Sequence, residues 1–171
     1  MVRKTTKLGG QKRGLFSHVS AAGQATMVDV GVKPATSRTA RAEAWVSVGG
    51  KIAASLRTSG GVAKGNVLET ARLAGIMAAK QTSNLVPLCH PLSLDVVDID
   101  ATLIKDKVHL VSHVACTGKT GVEMEAMTAA LVAALTVYDM CKSADKGITI
   151  GPVRLLEKTG GKSGHWRANH G

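Results

Sequence analysis

The sequence predicts an α+β domain in which helices pack on a mostly antiparallel sheet. Three features lead there. Residues Ala126 to Val137 form an apolar run, mainly Ala, Leu, Val and Met, with nothing in it that breaks a helix. Leu94 to Ile104 and Val108 to Ala115 are two stretches rich in β-branched residues, and Lys105-Asp106-Lys107 between them marks a β-hairpin. The elements then follow the order strand, helix, helix, hairpin, helix, strand, which favours a ferredoxin-like arrangement.

Taken in order, residues 1–17 are rich in Gly, Lys and Thr and are expected to be a basic, disordered arm, with order beginning at Phe16 to Val19. Residues 18–167 then make one domain, and 168–171 a tail. Met27-Val28-Asp29-Val30 is short and β-prone. Arg38 to Val48 alternates Ala40, Ala42, Ala44 and Val46 with Arg41, Glu43, Trp45 and Ser47, the period of a strand, although its alanines also allow a helix. Lys51 to Thr58 is a short helix ended by Ser59-Gly60-Gly61. Asn66 is placed to cap a helix over Val67 to Lys80, and Gly75 inside it implies close approach of another backbone. Leu85 to Leu92 holds two prolines around Cys89-His90, so its backbone is extended and rigid. Ile148 to Leu156 is a final strand interrupted by Gly151-Pro152.

At 171 residues and 44% hydrophobic composition, the chain has enough apolar surface for one real core. The only aromatics are Phe16, Trp45, Tyr138 and Trp166, too few for the base-stacking platforms of single-strand binders. The net charge of +10 is concentrated at the ends: Arg3, Lys4, Lys7, Lys12 and Arg13 at one, Lys158, Lys162 and Arg167 at the other. Without those eight, 14 basic residues face 12 acidic ones, so the middle is close to neutral. Basic ends suit nucleic-acid arms, solubilising tails or an anion site. Cys89, Cys116 and Cys141 form no CxxC pair, which argues against a disulfide framework or a zinc site and suits a reducing, cytoplasmic setting. The acid-free start is followed by no apolar stretch of a secretory signal, and the run from Ala126 is too short for a bilayer span of about 20 residues.

The helix from Ala126 carries a polar stripe. At about 100° per residue, Glu125, Thr128, Thr136, Asp139 and Lys142 share one side, and Glu123 points away. Such a stripe is either a solvated face with an i,i+3 ion pair or the wall of a charged pocket. His90 is likewise either a satisfied core histidine or a positioned polar group. Lys158 to Gly164 has the composition of a phosphate loop, but Glu157 stands where the Walker pattern needs glycine. Two lysines among glycines can still hold an anion.

Four segments carry a resemblance: Leu88-Cys89-His90-Pro91-Leu92, Lys119 to Ala126, Tyr138-Asp139-Met140-Cys141-Lys142, and Leu155 to Gly164. With Ala25 to Val30 and Ala71 to Lys80, they resemble the cyclic pyranopterin monophosphate synthases, the molybdenum cofactor biosynthesis protein C family, across residues 18–167. The resemblance implies a lyase that converts (8S)-3′,8-cyclo-7,8-dihydroguanosine 5′-triphosphate to cyclic pyranopterin monophosphate and diphosphate. It implies no metal or other cofactor, a homohexamer built as a trimer of dimers, and sites between subunits. It matches Asp139 and Lys142 to essential catalytic groups and Lys64 to a loop lysine acting as general acid. Leu88, Cys89, His90, Met124 and Glu125 match substrate-contacting segments, and Arg38 and Lys158 match cations around the triphosphate. Clustered cations would then lower a lysine's pKa toward neutrality. The chain departs from many relatives beside Lys64, with Ala63 where a histidine is common and Asn66 where an acid is common. The rival reading is a nucleic-acid binder with basic arms, against which the scarce aromatics and near-neutral middle weigh.

Overall fold

The structure, a computed structural model, describes residues 23–59, 61–62 and 65–169. The basic arm, Phe16 to Val19, Lys64 and Ala63 lie outside the described residues. Met27 to Val30 forms no strand. The Asp29 carboxylate accepts from the Gly31 amide at 2.7 Å, and Lys33 N–H donates to the Val30 carbonyl at 3.1 Å, so local turn bonds replace a ladder.

The regular elements begin with β1 (Thr36–Ser47) and α1 (Gly49–Ser59). Two short strands follow, β2 (Gly61–Val62) and β3 (Gly65–Asn66), paired antiparallel. Next come α2 (Val67–Ala79), a four-residue α3 (Thr82–Leu85), β4 (Val96–Ile104), β5 (Lys107–Gly118), α4 (Glu123–Cys141), β6 (Thr149–Thr159) and β7 (Trp166–Arg167). The main sheet runs β4-β5-β1-β6-β7, with every neighbouring pair antiparallel. The larger elements β1-α2-β4-β5-α4-β6 are thus two interleaved split units with both long helices on one face, the ferredoxin-like arrangement. Sequence had not distinguished β2, β3, α3 or β7, which are two to four residues long.

Period two in β1 sends Ala40, Ala42, Ala44 and Val46 into the core, each at most 1% exposed. Small side chains there let α4 lie close to the sheet, and α4 answers with Ala126, Ala129, Ala130, Ala133 and Ala134, all fully buried. Gly75 of α2 completes the fit: an added Cβ would lie 2.7 Å from the Ala129 carbonyl oxygen and 2.2 Å from Ile99 Cδ1. Asn66 caps α2 as expected, its side chain accepting from the Glu69 amide at 3.0 Å. Ser112, fully buried on β5, donates to the Ala126 carbonyl at 2.7 Å and fastens the first turn of α4 to the sheet.

The helix is longer than the apolar run that predicted it. At 19 residues α4 is long and apolar enough to cross a membrane by length and composition, so the length criterion does not exclude a span. What makes it a core helix is its packing, with 56% of its apolar window buried between the sheet and α2.

The sheet's other face is polar. Glu43, 5% exposed, accepts from Arg154 Nε at 2.6 Å and from Trp45 Nε1 at 3.3 Å, and pairs with His109 Nε2 at 2.7 Å. Trp45 stacks on the His109 ring with centroids 3.9 Å apart.

Candidate active site

Beyond the N-terminal end of α4, Arg38 and Lys158 both lie on the helix-side face of the sheet. Arg38 sits two residues before Ala40 on the core-facing side of β1, opposite Cys116. Its Nε donates to the Gly118 carbonyl at 3.3 Å. Lys158 reaches the same side only because β6 bulges. Arg41 pairs with Glu157 but Ala42 pairs with Leu155, so Leu156 is an extra residue and the alternation resets. Lys158 then lies opposite Ala40, its ammonium 3.9 Å from the Glu123 carboxylate and hydrogen-bonded to Ser163 Oγ.

The glycine-rich turn after β6 closes over Arg38. Gly160 and Gly161 have φ of +90° and +72°, a region that suits glycine. An added Cβ at Gly161 would fall 1.6 Å from Arg38 Nη1, and one at Gly160 would fall 2.2 Å from the Ser37 carbonyl oxygen. β7 then pairs back on Glu157 and Lys158, and His165 Nε2 meets Glu157 at 2.6 Å. Thr36 Oγ1, at the start of β1, is buried and has no hydrogen-bond partner among the described residues.

Of the substrate-contacting residues implied by resemblance, Met124 and Glu125 lie in the first turn of α4. Glu125, in the first turn of α4, is 4% exposed; burial raises its carboxyl pKa, Glu123's charge adds to the rise, and its own backbone amide opposes it. Burial likewise pushes the Cys89 thiol up, and the Glu125 charge adds to it, which places Cys89 within the field of that carboxylate. Cys116 is raised mainly by burial, with Asp95, Glu125 and Glu123 adding and Arg38 opposing. Leu88 sits in a turn closed by Cys89 N–H to the Val86 carbonyl at 3.0 Å. His90 follows in the extended segment and is half-buried. Met124 is 41% exposed on the outer side of α4.

Asp139 and Lys142 are elsewhere. Lys142 Nζ donates to Asp139 Oδ1 at 2.6 Å, and both side chains are about half exposed. Fourteen residues separate Asp139 from Glu125, about 21 Å at 1.5 Å per residue. The predicted polar stripe therefore runs from a buried carboxyl at one end to a solvated ion pair at the other. Nor does the chain lower the Lys142 pKa. The Asp139 hydrogen bond and charge raise it, because the nearest partner is an anion rather than a second cation. A shallow groove on β4, lined by Asn66, Glu69, Arg72 and Asp100 among others, contains none of the predicted site residues.

The MoaC family matches residues 27–161, most of the chain. The chain belongs to the MoaC family. A relative from Novosphingobium aromaticivorans, cyclic pyranopterin monophosphate synthase, is 51% identical over 153 residues, covering 90% of this chain and 97% of the relative. Molybdenum cofactor biosynthesis protein 1 of Drosophila melanogaster is 54% identical over 162 residues, 92% of this chain but 28% of that longer protein. In this MoaC-family chain, sequence reasoning missed Glu123 and Thr36 as members of the cationic end. The first was set aside because it points off the polar stripe. The second carries no sequence signal, since only the register of β1 against Gly118 brings it there.

Proposed function

We propose that this chain is a cyclic pyranopterin monophosphate synthase that takes the cyclised GTP derivative named above and releases diphosphate. The observation that carries the reading is the 51% identity to a protein of that name over nearly its whole length. The cationic end supports it. Arg38 and Lys158 hold the triphosphate, and the N-terminal end of α4 adds a partial positive charge toward the phosphates. Fixed cations stabilise the charge that develops as diphosphate leaves. Leu88, Cys89, His90, Met124 and Glu125 line the rest of the substrate. Asp139, Lys142 and Lys64 carry the proton transfers of ring opening and pterin formation.

A single copy keeps the two halves of this machinery about 21 Å apart along α4, so the complete site is built from two copies. Between the halves lies an apolar stripe: Met124, Leu131 and Leu135 of α4, with Leu73 and Met77 of α2, are 41–68% exposed. Leu131 lies midway between Met124 and Asp139. An isologous contact centred on it sets the Asp139–Lys142 pair of a second copy beside Met124 and Glu125. Three such dimers make the hexamer, in the cytoplasm. Residues 18–167 form the catalytic unit, and nucleic acid and membrane are not partners.

Turnover tests the function. Purified protein is incubated with the cyclised substrate, oxidised, and assayed for the fluorescent pterin and for an equal amount of diphosphate. Asp139→Asn is expected to fold and assemble but make no product. A folded oligomer of the unmodified chain that yields no pterin would overturn the proposal.

A further inference from the structure

The Glu123 carboxylate has no part in the reading above, yet it lies beside one of the two cations assigned to the triphosphate, Lys158. Its side chain leaves the outer stripe of α4 and folds back over Gly121, where an added Cβ would lie 1.8 Å from Oε2. Its other oxygen is 3.9 Å from Lys158 Nζ. Lys158 is otherwise well sheltered, with its side chain 16% exposed and its ammonium on Ser163 Oγ. Lys119, in the same loop, is committed elsewhere, donating to the Gly31 carbonyl at 2.6 Å. Arg38, the other cation on this side of the sheet, lies on β1 opposite Cys116. A carboxylate at the first turn of a helix, beside a lysine, is where an incoming phosphate would be held.

We propose that Glu123 is an internal competitor for diphosphate: its carboxylate takes Lys158 when the site is empty, is displaced by the phosphates of the substrate, and returns as diphosphate departs. The inference rests on the reading that Arg38 and Lys158 bind the triphosphate. Its consequence is a deliberately loosened hold on diphosphate. Every phosphate that binds must break the Glu123–Lys158 contact and then tolerate a displaced negative charge nearby, and both effects favour release of the product.

The test is calorimetric titration of the full oligomeric chain with inorganic diphosphate, without substrate. Glu123→Gln, which keeps the size and removes the charge, is expected to tighten diphosphate binding by about two- to fivefold, the scale of a partly exposed ion pair. Product inhibition by diphosphate should strengthen by the same factor. In a Lys158→Ala background the Glu123→Gln change should have a clearly smaller effect, because the contact is already gone and only the nearby charge is left to relieve. Unchanged or weaker diphosphate binding by Glu123→Gln in a folded oligomer would overturn the inference. So would equal tightening with and without Lys158, which would mean only a general loss of negative charge. Absence of diphosphate binding by the unmodified chain would instead overturn the placement of the triphosphate at Arg38 and Lys158, and the inference with it.

Discussion

Two variants that are each inactive should restore activity when they share an oligomer. Asp139→Asn removes the carboxylate at the C-terminal end of α4, and Lys158→Ala removes a cation beyond its N-terminal end. These positions lie at opposite ends of a helix of 19 residues, about 28 Å long, so the proposed site needs two copies to bring them to one substrate. In an isologous dimer each site takes one half from each copy. A mixed dimer therefore holds one site with both substitutions and one with neither. Random pairing of equal amounts makes about half the dimers mixed, so about a quarter of all sites are intact. The two variants would be co-expressed with different tags, recovered through both tags, and assayed for pterin formation. Activity near a quarter of the unmodified level is expected, and selection through both tags changes it little, because nearly every hexamer of three randomly paired dimers carries both variants. A mixed oligomer no more active than either parent would refute the two-copy site.

Three further substitutions probe the elements that hold the site. Gly160→Ala puts a Cβ at φ +90°, 2.2 Å from the Ser37 carbonyl oxygen; left-handed backbone costs about 1–2 kcal/mol and overpacking about 1–3 more. The turn should lift from Arg38 rather than the domain unfold, so the KM for substrate rises at least about tenfold while Tm moves by only a few degrees. Glu125→Gln should stabilise the protein at neutral pH. Since burial raises the folded-state pKa of Glu125, its ionisation opposes folding above the ordinary carboxylate range and has no effect below it. The gain in Tm should therefore appear as pH rises through about 4 and upward, and vanish in acid. Arg154→Ala should cost about 1–3 kcal/mol at pH 7 by denaturant titration. Burial alone would raise the Glu43 carboxyl, but hydrogen bonds from Arg154 and His109 outweigh it and hold the pKa down. That stabilisation is present above the unfolded value, about 4, and is lost as pH falls through the lowered folded value, so the cost should shrink there.

The long elements were legible from the chain alone. Alternation in Arg38 to Val48, the β-branched hairpin around Lys105-Asp106 and the alanine-rich run from Ala126 are periodic, and period is a local property that a chain shows before it folds. Local chemistry also placed Asn66 as a cap and Gly75 as a point of close approach. The resemblance located the site residues as a set, but not in space. Only the tertiary structure decided which of them meet. Strict alternation from Leu155 would put Glu157 on the helix side and turn Lys158 away; the bulge at Leu156 reverses this, and it exists only in the pairing of β6 with β1. Glu123, off the polar stripe when the helix is drawn alone, meets Lys158 because the sheet supplies a partner at that end. Asp139 and Lys142, one stripe with Glu125 in projection, are separated from it by the length of α4. A helical projection discards the axial coordinate, and that distance is what the second copy proposed above would bridge.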